Sequence, residues 1–404
     1  MKITLIAGAR PNFMKVAPII KAIKAHNGLV DEGISGLGER ISYRLVHTGQ
    51  HYDKNMSDTF FEELDIPAPD VNLGCGGGSQ AEQTAAIMVA FEKELMAHPT
   101  DIVLVVGDVT STMACSIVAK KLNTRVCHVE AGIRSWDLTM PEEINRMVTD
   151  SLADYMFTTS DVANENLQRL GAVLMNGDKS KMSQNDPKNI VQQRVWFVGN
   201  VMIDTLLANR ARFRKPEVWD ELGLKDKEFI VMTMHRPANV DEENHLRQMM
   251  EQIIDNVHGL PVIFPIHPRT AKMLRELINE RPQANSMSAT ESLNDARFPN
   301  LHIVEPMGYL EFNYLVERAK AVVTDSGGIT EETTVMGVPC ITLRDNTERP
   351  ETCTVGTNEL IGTNPAAIKP ALDKLFAGEW KKGAIPELWD GHTAERIIEI
   401  LANL

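Results

Sequence analysis

The sequence lacks the features that mark membrane proteins and nucleic-acid-binding proteins. None of its apolar runs approaches the roughly 20 residues that cross a bilayer as a helix. It contains no run of lysine and arginine, and its formal net charge is −14. A protein that binds a phosphate backbone needs a clustered basic face, so this charge disfavours nucleic acid as a partner. The apolar part of the N-terminal MKITLIAGARPNF is too short for a signal peptide, so we expect a first β-strand there and no membrane association.

Cysteine and histidine are sparse, and their spacing carries no metal signature. The five cysteines form no CxxC pair and lie at positions 75, 115, 127, 340 and 353. Scattered thiols in apolar contexts are typical of reduced core cysteines, so we expect a cytoplasmic protein. Histidines and cysteines never cluster at zinc-ligand spacing. The first strand also lacks the GxGxxG fingerprint of dinucleotide-binding proteins. We therefore expect no cofactor and no metal.

What the sequence does contain is an alternation of short apolar runs with longer amphipathic stretches. The strand candidates of the first half are ITLIAG, RLVHTG, DIVLVVGD, RVCHVE and YMFTTS, and those of the second half are VWFVGN, FIVMTMH, PVIFPIH, LHIVEP, AVVTDS and PCITLR. Such apolar runs are typical of strands buried on both faces of a parallel sheet. We therefore predict an α/β fold of two doubly wound, Rossmann-like parallel-sheet domains that face a central cleft.

The length of 404 residues is sufficient for two domains, each with its own core. We place an N-terminal α/β domain at residues 1–195 and a C-terminal α/β domain at residues 196–389. The amphipathic segment 390–404 is expected to form a helix that packs back on the first domain. Ligands of open α/β sheets bind at the carboxyl ends of the strands, so residues at those positions are the site candidates.

Charged residues follow the strands of the first half. Arg10 and Lys15 come after the first strand, and two cations beside a helix start suit a phosphate or a carboxylate. A solvated arginine in a turn is the commoner arrangement, and for these two residues alone it would be favoured. Asp108 ends DIVLVVGD, and Glu130 ends RVCHVE.

The motif MPEEINR adds a third carboxylate and an arginine. Glu142 and Arg146 stand four residues apart, which places them on one face of a helix. Each of these residues alone is more often a cap or part of a surface pair. Three carboxylates and an arginine on one rim are harder to explain by capping, because unpaired buried carboxylates are costly.

Two strands of the second half end in histidine. FIVMTMHRP ends at His235, and PVIFPIHPR ends at His267 and continues to Arg269. A histidine at a strand end is often bonded only to backbone. Opposite a group of carboxylates, however, it suits acid–base chemistry.

The stretch VVTDSGGITEE, residues 322–332, passes from a strand to a helix through a hydroxyl and two glycines. Ser326 can be the N-cap of that helix, which is the commoner use of such a residue. Alternatively, bare N–H groups at the helix N-terminus can form an anion site. The glycine-rich GCGGGSQAEQ lacks the lysine of a phosphate-binding loop, and we interpret its Ser79 and Glu82 as a capping box.

Taken together, these motifs resemble those of a known family. The sequence is similar to the non-hydrolysing UDP-N-acetylglucosamine 2-epimerases over essentially its whole length. The shared motifs are, in order, GARPNFMKVAPI, HTGQH, GDVTST, HVEAGIRS, MPEEINR, MHRPAN, TDSGGITEE and NTERPE. The resemblance implies a glycosyltransferase-B-like fold, a UDP-sugar substrate, no metal, a homodimer and a role in polysaccharide biosynthesis.

The resemblance also implies roles for the residues that match the family's motifs. The matched catalytic residues are Asp108, Glu130, Glu142, Arg146 and His235. The matched substrate-binding residues are Arg10, Lys15, Phe312, Ser326, Gly327, Gly328, Glu332 and Arg349. In this scheme the turn at Ser326 holds the diphosphate, and Glu332 reaches the ribose hydroxyls.

The sequence departs from the family pattern at three places. It has GARPNFMK where many members have GTRPEAIK, and Met307 where well-known bacterial members have glutamine. Tyr52 and Asp53 follow the Gln50-His51 pair, unlike the bacterial motif that binds a second, activating substrate molecule. Whether this chain keeps the allosteric activation of those members therefore stays open.

Family enzymes remove the C2 proton of the sugar while the C1–O bond to UDP breaks, which leaves a glycal and UDP. UDP then re-adds, and a proton reaches the opposite face of C2. This route needs a carboxylate base, an acid and cations that stabilise the departing diphosphate. The alternatives are a hydrolysing epimerase, an epimerase for a related UDP-2-acetamido sugar, a glycosyltransferase, and a nucleotide-sugar sensor. The assignment of base and acid among the carboxylates stays open.

Overall fold

The computed structural model describes residues 1–49, 63–175, 193–266, 298 and 300–404. The chain forms two compact units, of which the first comprises Met1–Ala208 with Glu387–Leu404 and the second comprises Asn209–Pro386. Each unit is a parallel sheet with helices connecting its strands. The predicted class of two parallel-sheet α/β domains is confirmed.

The first unit is built on a parallel sheet of eight strands within the described residues. These strands are β1 (Lys2–Ala7), β2 (Ser42–His47), β3 (Val71–Asn72), β4 (Ile102–Val106), β5 (Arg125–Val129), β6 (Tyr155–Thr158), β7 (Val173–Leu174) and β8 (Arg194–Phe197). Their order in the sheet is β3-β2-β1-β4-β5-β6-β8-β7. The helices are α1 (Arg10–Asp31), α2 (Gln80–Ala97), α3 (Thr110–Lys121), α4 (Pro141–Leu152), α5 (Asp161–Arg169) and α6 (Val201–Asn209).

The central strands of this sheet are buried on both faces. All five residues of β4, IVLVV, are buried, as expected for a parallel strand that is covered by helices on each side. On one face, Val105 packs in a core that includes Phe91 of α2 and Cys115 of α3. No helix in the described part of the chain combines the length and the apolar character needed to cross a bilayer.

The second unit contains a six-stranded parallel sheet. Its strands are β9 (Ile230–Thr233), β10 (Val262–Pro265), β11 (Leu301–Val304), β12 (Ala321–Thr324), β13 (Cys340–Thr342) and β14 (Asn358–Leu360), in the order β11-β10-β9-β12-β13-β14. The helices are α7 (Glu217–Glu221), α8 (Pro237–Val240), α9 (Glu243–Asn256), α10 (Tyr309–Arg318), α11 (Gly327–Met336), α12 (Pro350–Thr354) and α13 (Ile368–Phe376), with 3₁₀ turns at Arg210–Arg212 and Pro365–Ala367. Separate apolar clusters, around Phe264 and around Phe229, cover the sheet.

The placement of VWFVGN at the start of the second domain is wrong. Residues of this segment form β8, which pairs with β6 in the first sheet. The ring of Trp196 lies 5.6 Å from that of Phe157 and 6.1 Å from that of Tyr155, which fixes β8 against its neighbour. The first unit therefore continues through β8 and α6 to Ala208, whereas the sequence placed its end at residue 195.

The last helix, α14 (Thr393–Ala402), belongs to the first unit. The Asp204 carboxylate of α6 accepts hydrogen bonds from the N–H groups of Thr393 at 3.1 Å and Ala394 at 2.6 Å. These bonds satisfy donors that a helix N-terminus leaves unpaired. The indole of Trp389 donates to the Thr159 carbonyl at 2.9 Å. The segment that leads into α14 is therefore fixed to the first unit at Trp389 as well as at the start of the helix.

Candidate active site

The turn from β1 into α1 is fixed to the carboxyl end of β4. Asn12 Oδ1 accepts from the N–H groups of Gly8 at 3.1 Å and Ala9 at 3.0 Å, and Asn12 Nδ2 donates to the Val106 carbonyl at 3.1 Å. Arg10 begins α1, and its side chain lies outside the described part of the structure. The turn brings the next helical turn of α1, which carries Lys15, to the end of the sheet.

Lys15 and Glu130 form a buried ion pair at this end of the sheet. Lys15 Nζ donates to Glu130 Oε2 at 2.6 Å, and the two residues are only 7% and 2% exposed. Gly107 lies against this pair, because a Cβ at Gly107 would be 2.8 Å from Lys15 Nζ. Its φ of +65° also favours glycine. Since Asp108 directly follows Gly107 in the chain, the pair lies beside Asp108.

Asp108 is held by Arg146 of α4. Arg146 Nη1 donates to Asp108 Oδ2 at 2.5 Å, and the Asn145 side chain donates to the Asp108 carbonyl at 2.9 Å. The Asp108 side chain is 27% exposed, whereas that of Arg146 is 2% exposed. The structure thus brings Lys15, Glu130, Asp108 and Arg146 together at the carboxyl ends of β4 and β5, as predicted from the strand ends.

Glu142 and Arg146 lie on the predicted helix, α4, but Arg146 does not pair with Glu142 among the contacts described. Arg146 Nη2 instead donates to Glu143 Oε2 at 2.7 Å, and Glu143 is fully buried while Glu142 is exposed. Burial raises the pKa of Glu143, but hydrogen bonds from Ser135 and Arg146 more than offset this effect and hold the pKa below its usual value. The partner three residues away lies on the buried side of α4, which leaves Glu142 at the surface of the unit.

In the second unit, His235 lies at the carboxyl end of β9. Its Nδ1 atom is 2.9 Å from Asp325 Oδ1, and the His235 side chain is 46% exposed while Asp325 is buried. Asp325 Oδ2 also accepts from the N–H of Arg236 at 2.9 Å and from Asn239 Nδ2 at 3.0 Å. Burial raises the pKa of Asp325, but the bonds from His235, Arg236 and Asn239 outweigh it and keep the pKa below its usual range. An ionised Asp325 orients the imidazole of His235.

Ser326 precedes α11, yet its side chain makes no capping hydrogen bond. Ser79 and Ser160, by contrast, accept from the N–H groups of Glu82 at 3.2 Å and Ala163 at 3.3 Å. The capping box of Ser79 and Glu82 is therefore confirmed, while the hydroxyl of Ser326 is not used as a cap. This difference favours the anion-site interpretation of the turn.

The two glycines that follow Ser326 have different surroundings. A Cβ at Gly327 would lie 2.8 Å from Glu348 Oε1, whereas a Cβ at Gly328 would meet no atom of the described residues within 4 Å. Glu348 pairs with Arg344 at 2.6 Å. Burial raises the pKa of Glu348, but Arg349 and Arg344 outweigh it and depress the pKa strongly. An ionised carboxylate and its arginine thus lie against the N-terminus of α11.

The remaining predicted substrate-binding residues lie around α11. Glu332 Oε1 accepts from the Tyr309 hydroxyl at 2.8 Å, and burial raises the pKa of Glu332 to about 7. Arg349 forms a buried ion pair with Glu331. Phe312 of α10 is partly buried against the apolar cluster around Phe229.

Several residues of this site were not singled out from the sequence. Asp325 stands in TDSGG, directly after β12 and directly before the predicted turn at Ser326. Its position at a strand end was the signal that could have identified it. Glu143 adjoins the predicted Glu142, and only the buried face of α4 distinguishes the two.

Gln50, His51, His267 and Arg269 lie outside the described residues. Among the residues that are described, no group of three or more histidine, cysteine, aspartate or glutamate side chains is placed to hold a metal ion.

Comparison with known proteins identifies the family. Residues 37–402 match the family model described as UDP-N-acetylglucosamine 2-epimerase. A UDP-N-acetylglucosamine 2-epimerase of Methanocaldococcus jannaschii is 36% identical over 409 residues, which cover 99% of each chain. A UDP-2,3-diacetamido-2,3-dideoxy-D-glucuronate 2-epimerase of Pseudomonas aeruginosa is 34% identical over 407 residues, which cover 100% of both.

A solved structure agrees with these sequence matches. The crystal structure of the Methanocaldococcus jannaschii UDP-GlcNAc 2-epimerase, in complex with UDP-GlcNAc and UDP, is similar to this chain with a TM-score of 0.78 at 36% identity. The similarity covers 100% of each chain. The resemblance in the motifs and the glycosyltransferase-B-like class of the two units are thereby confirmed.

Proposed function

We propose, since the chain belongs to the UDP-N-acetylglucosamine 2-epimerase family, that it interconverts UDP-N-acetylglucosamine and UDP-N-acetylmannosamine without hydrolysis. The observation that carries this proposal is the pairing of carboxylates with cations at the strand ends of the first unit. Lys15 pairs with Glu130, and Arg146 pairs with Asp108. A nucleotide-sugar sensor would need the cations for a diphosphate, but it has no use for carboxylates beside them.

The chemistry follows from these residue types. One carboxylate among Asp108, Glu130 and Glu142 takes the proton from C2 of the sugar. The C–H electron pair forms the C1=C2 double bond, and the C1–O bonding pair leaves with UDP. The negative charge that develops on the diphosphate is stabilised by cations such as Lys15. When UDP adds back to C1, an acid on the other side returns a proton to C2, and the configuration at C2 is inverted.

In this proposal the second unit holds the UDP moiety. The N-terminus of α11 presents the backbone N–H groups that follow Ser326, and such groups bind phosphate favourably. Glu332 and Arg349 bind the nucleoside side of UDP, and Phe312 packs beside it. In this scheme His235 donates or accepts a proton during departure and return of the diphosphate, and its contact with Asp325 at 2.9 Å supports this role.

A second candidate is an epimerase that acts on a related UDP-2-acetamido sugar. It is supported by the Pseudomonas aeruginosa relative, whose identity to this chain is close to that of the archaeal epimerase. Both sugars carry a 2-acetamido group and a diphosphate at C1, so the same acids and cations would serve either one.

The deciding experiment is proton NMR of UDP-N-acetylglucosamine with the purified protein in D₂O. We expect the C2 hydrogen to exchange with solvent as the two epimers equilibrate. Parallel incubation with UDP-2,3-diacetamido-2,3-dideoxyglucuronate separates the two candidates by their relative rates. Epimerisation with the original hydrogen retained at C2 would contradict elimination through these acids, and release of free N-acetylmannosamine in step with UDP would identify the hydrolysing reaction instead.

A matched pair of variants tests the acids directly. Asp108→Asn removes the carboxylate after β4, and Asp101→Asn removes the one before it, which accepts from the Lys2 N–H at 2.7 Å. Asp108→Asn should lower turnover by about 100-fold or more, the usual scale for an acid or base. Asp101→Asn should leave it within about twofold, because that end of the strand is remote from the site.

We further propose that the protein is a cytoplasmic homodimer whose product supplies polysaccharide biosynthesis. All five cysteines are free thiols, which supports a reducing compartment. Val89 and Met96 are more than half exposed and stand seven residues apart on one face of α2, which offers an apolar contact for a second copy. Light scattering of the purified protein should give twice the mass of one chain, and Val89→Glu with Met96→Glu should reduce it to that of the monomer.

A further inference from the structure

A buried charged cluster lies behind the candidate acids of the first unit. It consists of His128 in β5, Asp150 in α4 and Arg134 in the loop after β5. These residues are 0%, 2% and 5% exposed, respectively. Burying three ionisable side chains is costly unless they are paired, so the partners of each are informative.

Both ring nitrogens of His128 face groups that accept hydrogen bonds. Nδ1 lies 2.7 Å from Asp150 Oδ1, and Nε2 lies 2.8 Å from the Gly107 carbonyl oxygen. A carbonyl oxygen has no hydrogen to donate. Asp150 Oδ2 is 2.6 Å from Arg134 Nη1, and a guanidinium beside a carboxylate favours its ionised form. An ionised Asp150 has no hydrogen either, so each ring nitrogen must carry its own proton.

The cluster bonds to the backbone just before Asp108 and just after Glu130. The carbonyl that accepts from His128 is that of Gly107, which immediately precedes Asp108. Asp150 Oδ2 accepts from the N–H of Gly132 at 3.1 Å, two residues after Glu130. Gly107 and Glu130 both have positive φ, +65° and +68°. A glutamate in this conformation persists only where its surroundings over-determine the backbone.

We propose that the cluster of His128, Asp150 and Arg134 is a positioning device, in which His128 donates from both ring nitrogens and so fixes the backbone carrying Asp108 and Glu130. This positioning role rests on the proposed function, because it is needed only if those carboxylates act on the sugar. The protonation of His128 does not rest on it. None of the three residues touches substrate in this scheme, and they act through the two carboxylates.

The charge of His128 is tested by NMR on the wild-type protein labelled with ¹⁵N histidine. We expect two one-bond N–H correlations for His128, assigned by their loss in His128→Gln, and we expect both to persist at pH 8. Solvent-exposed histidines lose their second proton near pH 6.5. A single correlation for His128 at pH 8 would show a neutral ring and overturn this part of the proposal.

The positioning role is tested by Asp150→Asn against Asp154→Asn. Asp154 is a matched control at the opposite end of β5, where its Oδ2 accepts from the Val126 N–H at 2.8 Å and its carboxylate pairs with Lys120 at 2.7 Å. We expect Asp150→Asn to lower kcat on the order of 100-fold, the scale of a ~1 Å misplacement, with UDP affinity unchanged. Asp154→Asn should keep kcat within about twofold of wild type.

The outcomes separate positioning from stability. If Asp150→Asn and Asp154→Asn lower kcat only in proportion to their loss of folded protein, the cluster is structural and the proposal is wrong. If Asp150→Asn does not fold, His128→Gln provides the same comparison, because it keeps a donor for only one of the two acceptors. If the wild-type protein has no epimerase activity, the proposed function fails, while the NMR measurement still decides the charge of His128.

Discussion

Glu332 provides the sharpest link between the structure and a measurable pH dependence. Its carboxyl group is buried in α11, where the pKa rises from 4.5 to about 7 chiefly because of burial, with Glu331 adding to the rise. The hydrogen bonds from Tyr309 and Asn313 oppose this effect. The difference corresponds to about 3 kcal/mol between the two protonation states in the folded protein. The folded chain therefore binds a proton at Glu332 more tightly than the unfolded chain.

The effect on stability has a definite sign. The contribution of protonated Glu332 is fully present below about pH 4.5 and is lost as the pH rises through about 7. Glu332→Gln keeps an oxygen to accept from the Tyr309 hydroxyl but never ionises. We expect this variant to match wild type near pH 4.5 and to be more stable by up to about 3 kcal/mol at pH 8. Urea unfolding at both pH values measures the difference.

The effect on binding has the opposite direction. If the ionised carboxylate accepts the ribose hydroxyls, only about one-tenth of the protein is competent at pH 6 and about nine-tenths at pH 8, so affinity should rise about tenfold. This affinity is measured by calorimetry with UDP-N-acetylglucosamine and the inactive Asp108→Asn protein. The inactive variant avoids turnover, and the choice of ligand avoids the ionisation of free UDP. The same titration with Glu332→Gln added should be flat. Equal affinity at pH 6 and pH 8 for Asp108→Asn would refute the ribose contact assigned to Glu332. No extra stability of Glu332→Gln at pH 8 would refute the raised pKa of this carboxyl group.

Three further predictions concern the other parts of the site. Gly327→Ala should displace Glu348 and weaken UDP binding, whereas Gly328→Ala meets no atom of the described residues within 4 Å. Equal shifts of the melting temperature on addition of UDP for the two variants would contradict this packing. Glu143→Gln should lower the free energy of unfolding by about 3–5 kcal/mol, because it breaks a buried ion pair. Glu142 is exposed, so Glu142→Gln should change the free energy of unfolding by no more than about 0.5 kcal/mol, yet it should lose turnover. Activity should survive EDTA and dialysis without added NAD, since the proposed elimination needs neither, and a loss restored only by a metal or NAD would exclude it.

The fold was predictable because the signal for buried parallel strands is local. β4 is a run of five buried apolar residues, and such a run needs no information from elsewhere in the chain. The strands β3, β7 and β14 were not predicted, and each has only two or three residues in the structure. VWFVGN was recognised as a strand but assigned to the wrong sheet. Pairing partners are a tertiary property, and here they place β8 beside β6.

The site was predictable only where strand ends were sufficient. Asp108, Glu130 and His235 follow buried strands, so their positions at the carboxyl ends follow from topology. Asp325 also follows a strand, but its role depends on β12 lying beside β9, with Thr324 opposite Thr233. These strands are about 90 residues apart in the chain. Spacing within a segment gives no information on such a contact, so the partner that orients His235 emerged only from the structure.

Glu142 and Glu143 show how the local and the tertiary information combine. Spacing along a helix placed Glu142 on the face that carries Arg146, whereas the structure pairs Arg146 with the buried Glu143. With Glu143 engaged in this pair, Glu142 is the carboxylate of the motif that is exposed at the surface of its unit. Arg146 then links the two functions of the motif, since the same guanidinium that pairs with Glu143 also holds Asp108.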